Sequence, residues 1–123
     1  MWYNEFADIL LERYDKVIFA TTTPVTEVNP YNKNADIERY NRLIVPLLEE
    51  KGIIINNLYQ LVASDIDKYI RKDDNIHLTE EGIKICAEQV AEVIRKVSES
   101  LHQESENKTD VFIKDIKTTG APV

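Results

Sequence analysis

Two residues near the middle of the chain have the types and the spacing of a catalytic base and its orienting partner. Asp74 and His77 lie three positions apart in the segment RKDDNIHLTEEG. At this spacing in a turn, the carboxylate can accept a hydrogen bond from one ring nitrogen and fix the tautomer of the imidazole. The other ring nitrogen is then available to take a proton from a hydroxyl nucleophile. The pattern therefore predicts His77 as a general base and Asp74 as the residue that orients it.

The same short pattern has two other interpretations. An Asp three residues before a His also arises by chance, and it then describes a solvated acidic loop with a capping histidine. Asp73, Asp74 and His77 are also a candidate metal site, although a weak one, because three ligands within five residues can hardly surround an ion. We expect Asp73 and Asn75 to be solvated loop residues without a catalytic role.

The elements around this segment predict an α/β fold. Residues 17–21 and 53–56 are apolar on both faces, which is typical of short strands buried in a parallel sheet. Helical periodicity or helix signals mark the segments 4–15, 35–52 and the long segment from Thr79 onward. Segment 58–70 predicts a short helix or turns. The order of these elements predicts a parallel sheet with right-handed crossovers, covered by helices.

The last of these helices has a clear start and one apolar face. Thr79 is predicted as its N-cap, with two glutamates in the first turn at the positive end of the helix dipole. Its core-facing residues are predicted to be Ile83, Cys86, Val90, Ile94, Val97 and Leu101. We expect Cys86, the only cysteine, to be a buried core residue and not a reactive thiol.

The two predicted strands place the candidate residues on one rim. In open α/β sheets, active sites form beyond the carboxyl ends of the strands. The loop with Asp74 and His77 comes after the second strand, and a loop with Thr22 and Thr23 follows the first. The two threonines are therefore candidates for lining a substrate mouth, although hydroxyls at a strand end are also common turn residues.

Two strands alone make an incomplete sheet. Both outer edges would be unpaired, and a pair of strands is rarely stable by itself. We therefore expect residues 1–103 to be part of a larger α/β domain. Residues 104–123 are predicted to continue a polar linker that begins near residue 102, followed by one β-like segment and a tail.

Composition narrows the classes of partner. The chain of 123 residues is 43% apolar and 30% charged, with a net charge of −7, which suits a globular domain. This charge argues against nucleic acid or an anionic membrane, because phosphate binding needs clustered Lys and Arg. No apolar run approaches the roughly 20 residues that span a bilayer, and no secretory signal is visible, so a cytoplasmic location is expected. No cofactor is predicted.

Three segments in this order resemble the C-terminal half of the SGNH, or GDSL-type, hydrolases. They are VIFATTTPV, DIERYNRLIVPLLEEKGIIINNLY and DDNIHLTEEGIKICAEQVAEVI, and the resemblance covers residues 14–96. It implies a flavodoxin-like, three-layer α/β/α fold with a parallel sheet. It also implies hydrolysis of acyl or acetyl esters of a small molecule or carbohydrate through an acyl-enzyme. By this resemblance His77 is the general base and Asp74 orients it.

The sequence lacks the blocks that carry the family's nucleophile. In the family a serine lies in a Gly-Asp-Ser block, and a Gly-x-Asn-Asp-like block helps to form the oxyanion hole; neither block is present. The serines are Ser64, Ser98, Ser100 and Ser105, and none follows a strand in a glycine-rich turn. A base without its nucleophile cannot run acyl transfer, because the triad acts as a unit.

We therefore expect the chain to be the C-terminal portion of a serine esterase that is inactive alone. Truncation of a complete domain is the favoured origin, and a natural half-domain is the alternative. The alternative function is a non-enzymatic interaction module. Such a module would pair with another chain, or with a second copy of itself, through the exposed edge of its sheet.

Overall fold

The computed structural model describes the backbone of residues 2–119 and the side chains of residues 4–106. In chain order the elements are α1 (Trp2–Arg13), β1 (Ile18–Ala20), α2 (Asn34–Glu50), β2 (Ile54–Asn56), α3 (Leu58–Ala63), α4 (Ile66–Tyr69) and α5 (Glu80–Thr119). The chain forms two compact units, Met1–Val90 and Ala91–Val123. The fold is mixed α/β and mostly helical. No helix in the described part of the chain is both long and apolar enough to cross a bilayer.

The two predicted strands form a parallel pair, as expected. Ile18 lies opposite Ile54, and Ala20 lies opposite Asn56, with α2 as the crossover between them. Each strand has three residues, which is shorter than the apolar runs in the sequence. Within the described residues the sheet contains these two strands alone.

Side chains tie the carboxyl ends of the two strands together. The N–H of Thr21 donates to the carbonyl oxygen of Asn56 at 3.0 Å, which extends the pairing beyond β1. The Thr21 hydroxyl donates to Asn57 Oδ1 at 3.1 Å and accepts from the N–H of Tyr59 at 3.0 Å. The start of α3 is therefore fixed against the end of β1, and the loops after both strands leave from one place.

One apolar core lies between α1, α2 and the sheet. Its buried members are Ala7, Ile44, Leu48 and Ile53. Five partly buried residues pack around them, namely Leu11, Val17, Phe19, Val45 and Ile55. Gly52, with φ +82°, ends α2 and turns the chain into β2, a backbone conformation that glycine adopts at little cost.

A second core holds α3, α4 and the first turns of α5. Val62, Ile70 and Cys86 are buried at its centre, so the prediction that Cys86 is a core residue is confirmed. The partly buried residues around them are Leu58, Leu61, Ile66, Tyr69, Leu78 and Ile85.

The predicted N-cap of α5 is confirmed, but the predicted core face of its first turns is partly wrong. Thr79 Oγ1 accepts from the N–H of Gly82 at 3.1 Å. Ile83, predicted as a core residue, is 57% exposed, whereas Ile85 packs against the second core. The inward stripe runs through Gly82, Ile85, Cys86 and Gln89, and apolar periodicity could not reveal it because two of these residues are not apolar side chains.

The C-terminal segment also differs from its prediction. α5 continues as a helix to residue 119, so the predicted β-like segment is wrong. The role of residues 104–119 as a linker stays a prediction, and the predicted tail beyond residue 119 lies outside the described residues. The segment contains neither Pro nor Gly between residues 83 and 119. Side-chain pairs one turn apart support the helix, including Arg95 with Glu92 and His102 with Glu106. The domain boundary predicted after residue 103 stays a prediction.

At Gly82, α5 lies directly against the backbone of Tyr69, so a Gly82→Ala substitution should destabilise the protein. An added Cβ would overlap the carbonyl oxygen of Tyr69 and lie 3.3 Å from Leu78 Cβ. That carbonyl also accepts from the N–H of Thr79 at 2.8 Å, so it has little freedom to move. Helix propensity favours Ala over Gly by about 1 kcal/mol, but overpacking costs about 1–3 kcal/mol. We expect the free energy of unfolding, measured in urea, to fall by about 1 kcal/mol.

The matched control is the reverse change at an exposed position of the same helix. Ala87→Gly should destabilise by about 1 kcal/mol through propensity alone. An increase in the free energy of unfolding for Gly82→Ala would contradict the close approach of α5 to Tyr69.

Candidate active site

The candidate residues lie in a closed loop between α4 and α5. An isolated antiparallel bridge joins Ile70 to Leu78 at the base of this loop. Inside it, the N–H of Arg71 donates to the carbonyl oxygen of His77 at 2.8 Å, and the N–H of Asn75 donates to the carbonyl oxygen of Arg71 at 3.0 Å. These bonds fix the path of the backbone from residue 70 to residue 78.

The structure brings Asp74 and His77 into direct contact. Asp74 Oδ2 lies 2.6 Å from His77 Nδ1. The other carboxylate oxygen, Oδ1, accepts from the backbone N–H groups of Ile76 and His77, each at 3.1 Å. The carboxylate is thus held by its own turn and directed at one nitrogen of the ring. This is the geometry that the spacing predicted for a base and its orienting acid.

The hydrogen bonds to Asp74 favour its ionised form. They lower the pKa of Asp74 to about 2, and the bonds from the backbone N–H groups of Ile76 and His77 are the two largest causes. Asp74 is therefore a carboxylate near neutral pH, where it can only accept, so Nδ1 of His77 is the nitrogen that carries the proton. Nε2 remains as the basic nitrogen of the ring. The side chain of His77 is 74% exposed, so a molecule in solution can reach it.

Asp73 is paired to a different partner. Arg71 Nε donates to Asp73 Oδ1 at 2.9 Å, and Arg71 Nη2 contacts Oδ2. The hydrogen bond from Arg71 lowers the pKa of Asp73. Among the described residues no group of three or more His, Cys, Asp or Glu side chains is placed to hold a metal ion.

Thr22 is fixed by its backbone, at the end of β1. Its N–H and carbonyl groups each bond to the side chain of Asn41 at 3.2 Å. Thr21, not Thr22 or Thr23, lines a groove of about 410 Å³ beside α2. The role of Thr22 and Thr23 in lining a substrate mouth stays a prediction.

The loop after β1 reaches the His77 loop through residues that sequence reasoning missed. Thr26 and Asn29 both donate hydrogen bonds to Asn75, the residue that follows Asp74. Asn75 was expected to be a solvated loop residue, and it is instead half-buried with several partners. The available signal was weak, since it consisted only of an Asn in a loop, a residue type that tolerates left-handed backbone.

Two other reactive side chains are occupied or buried. The hydroxyl of Ser64 donates to the carbonyl oxygen of Leu61 at 2.6 Å, as expected of a residue at a helix end. Burial raises the pKa of the Cys86 thiol, which disfavours the reactive thiolate.

Asn57 is the N-cap of α3, where its Oδ1 accepts from the N–H of Gln60 at 3.0 Å.

Comparison with protein-family models, with curated proteins and with solved structures found no match to this chain.

Because the backbone N–H groups of Ile76 and His77 are the two largest causes of the lowered Asp74 pKa, we expect His77→Ala to leave that pKa clearly below its ordinary value. The alanine variant retains the backbone N–H that bonds to Asp74, and only the weaker side-chain contribution is lost. We expect the Asp74 carboxyl, followed by carbon NMR, to be still mostly ionised at about pH 3 in both proteins. Recovery of the ordinary value of 3.8 in His77→Ala would show that the imidazole, and not the turn, holds the carboxylate.

The lowered pKa of Asp74 makes the stability of the fold depend on pH. The folded state binds its proton at Asp74 less readily than the unfolded chain does, so the contribution of Asp74 to stability is present above about pH 4. It is lost as the pH falls toward the folded value of about 2. Asp74→Asn should therefore reduce stability at neutral pH and have progressively less effect in acid.

Proposed function

We propose that this chain supplies the general base and orienting acid of a serine esterase of the SGNH, or GDSL, type. The substrate class is an acyl or acetyl ester of a small molecule or carbohydrate, cleaved through an acyl-enzyme. The observation that carries the proposal is the 2.6 Å contact between Asp74 Oδ2 and His77 Nδ1, in a loop beyond the carboxyl end of a parallel strand.

In the proposed reaction, each atom of the pair has a distinct role. Asp74 holds the proton on Nδ1, which leaves Nε2 of His77 to accept the hydroxyl proton as a serine attacks the ester carbonyl. The resulting imidazolium is stabilised by the carboxylate and donates its Nε2 proton to the departing alcohol. In the second half-reaction, water attacks the acyl carbon as it loses a proton to Nε2. The bond to the serine oxygen then breaks, Nε2 returns that proton to the serine, and the carboxylic acid leaves.

We further propose that these elements belong to a flavodoxin-like, three-layer α/β/α domain. Parallel sheets are normally covered on both faces and extended by further strands. In the described residues, a groove of about 250 Å³ runs beside β1 and is lined by apolar side chains of α1, β1 and α2. Phe6 and Ile9 of α1 are about half exposed, at 51% and 49%. These surfaces favour further elements packed against them.

The nucleophilic serine of this esterase is not one of the serines near the His77 loop. Ser64 bonds to the backbone of α3, and the remaining serines lie in α5. We propose that the serine belongs to the segment of the domain that supplies the additional strands. An in-frame Gly-Asp-Ser block in the coding sequence upstream of Met1 would support this directly.

The esterase assay needs a control for ordinary imidazole chemistry, and the chain provides one. His102 is as exposed as His77, at 74% for both side chains. We expect the chain of 123 residues alone to hydrolyse a chromogenic acetate ester no faster than exposed imidazole does at the same concentration. Joined to the segment with the serine block, the chain should become active. His77→Ala should then reduce kcat/KM by about 10⁴-fold or more, whereas His102→Ala should have no effect.

The informative opposite result is activity of the isolated chain. If it hydrolyses the ester well above the imidazole control, and His77→Ala abolishes this, the nucleophile lies within these residues and its proposed location is wrong.

A second candidate function is an interaction module that pairs through the open edge of β1. Val17 and Thr21 bond to β2, so strand alternation directs the N–H and carbonyl groups of Ile18 and Ala20 to the other side. An exposed edge of this kind accepts a further strand. A second copy could satisfy these groups by antiparallel pairing about Phe19.

The module predicts a defined dimer in light scattering, which Ala20→Pro should dissociate. Proline removes the outward N–H of residue 20 without removing a bond to β2. A monomer, or non-specific aggregates, would count against the module and favour the incomplete domain.

A further inference from the structure

Asn75 is the residue through which the His77 loop bonds to the loop after β1. Its carbonyl oxygen accepts from the N–H of Thr26 at 3.2 Å and from Asn29 Nδ2 at 3.1 Å. Its side-chain Oδ1 accepts from the Thr26 hydroxyl at 2.8 Å. Its N–H donates to the carbonyl oxygen of Arg71 at 3.0 Å. Three of these four bonds come from the loop that follows β1.

The backbone of Asn75 adopts an uncommon conformation. Its φ is +63°, and no other non-glycine residue in the described part of the chain has a positive φ. Asn tolerates this left-handed region better than most residues. The reversal at Asn75 brings the chain back so that the next two N–H groups, of Ile76 and His77, both reach Asp74 Oδ1.

The partners of Asn75 are themselves firmly placed. Thr26 and Asn29 are 8% and 3% exposed. Asn29 Oδ1 accepts from the N–H groups of Tyr31 and Asn32, each at 2.9 Å, and the N–H of Asn29 donates to the carbonyl oxygen of Thr26 at 3.1 Å. Buried polar groups of this kind are costly to leave unpaired. The loop after β1 therefore offers Asn75 a fixed set of donors.

The Asp74–His77 pair is held by bonds within its own loop, and Asn75 is where that loop bonds to the loop after β1. His77 is largely exposed, and an exposed pair in water contributes little and is readily lost to side-chain motion. The turn that presents Asp74 can keep its shape only if its central residue stays in the left-handed region. The Thr26–Asn29–Asn75 contacts supply that restraint.

We infer that Asn75 is a positioning residue for the Asp74–His77 pair, and that Thr26 and Asn29 hold it in that role. Thr26, Asn29 and Asn75 hold the backbone of the His77 loop in the conformation that places Asp74 against the imidazole ring. The contact with Asp74 then keeps the proton on Nδ1. The inference rests on the proposed role of His77 as a base, but the tautomer can be measured without any catalytic activity.

The decisive experiment compares Thr26→Val with Thr26→Ser in the full chain. Valine matches threonine in shape but lacks the hydroxyl, whereas serine keeps it. Nitrogen-15 NMR of the neutral His77 ring gives the ratio of the Nδ1–H to the Nε2–H tautomer. We expect Thr26→Val to reduce this ratio about fivefold, which corresponds to the net contribution of one hydrogen bond. Thr26→Ser should retain the original ratio.

Two further variants separate positioning from general loosening of the loop. Asn75→Gly allows the same φ but removes Oδ1, so it should lower the ratio in the same direction and serves if Thr26→Val fails to fold. Asn41→Ala removes two comparable side-chain bonds to Thr22 in the same loop, away from Asn75. It should reduce stability and leave the tautomer ratio of His77 unchanged.

An unchanged ratio in folded Thr26→Val and Asn75→Gly would overturn the inference and leave the cluster with a structural role alone. An equal change in Asn41→Ala would overturn it too, because any loosening of the loop would then suffice. Absence of esterase activity in a complete enzyme would contradict the proposed function but would leave the tautomer result standing, so the two failures are distinguishable.

Discussion

The parallel pairing of β1 with β2 is the constraint on which the site depends. Parallel strands end on the same side, so the loops that follow them start as neighbours. Thr21 strengthens this arrangement because its backbone bonds to Asn56 and its hydroxyl bridges to the start of α3. From that shared origin, the first loop extends to Thr26 and Asn29, and the second part of the chain returns through α3 and α4 to Asn75. Thr26 and Asn29 then bond to Asn75. The two segments that begin side by side at the three-residue strands therefore meet again at the His77 loop.

The same pairing determines which strand edges are bonded within the described residues. Two strands bury one edge of each and leave the others for solvent or for additional elements. The core between α1, α2 and the sheet is well formed, yet α1 keeps large apolar side chains at its surface. The second core closes without the sheet, from α3, α4 and the start of α5. Ile70 and Leu78, at the two ends of the His77 loop, pack in this second core. The backbone of the loop is therefore fixed even though the sheet is small.

Local signals in the sequence were sufficient for the features that local chemistry determines. Both apolar runs predicted the strands, Thr79 predicted the start of α5, and the spacing of Asp74 and His77 predicted their contact, because each depends on residues within a few positions. The inward stripe of α5 was not predictable from apolar periodicity. Gly82 faces inward because the carbonyl of Tyr69 leaves no room for a side chain, and Gln89 faces inward because Asn56 Oδ1 accepts from it at 2.7 Å. Likewise, the contacts of Asn75 join residues 46 and 49 positions apart, and no pattern within one segment contains that information.

The burial of Cys86 gives this protein an internal reporter of its own local unfolding. It is the only thiol in the chain, and it is enclosed by α3, α4 and α5 together with Ile70 and Leu78, the residues at the two ends of the His77 loop. A thiol reagent can reach it only when that enclosure separates, and the same separation would release the base of the loop. The rate of modification of Cys86 under native conditions therefore measures how often the candidate site comes apart, without any substrate and without an added probe.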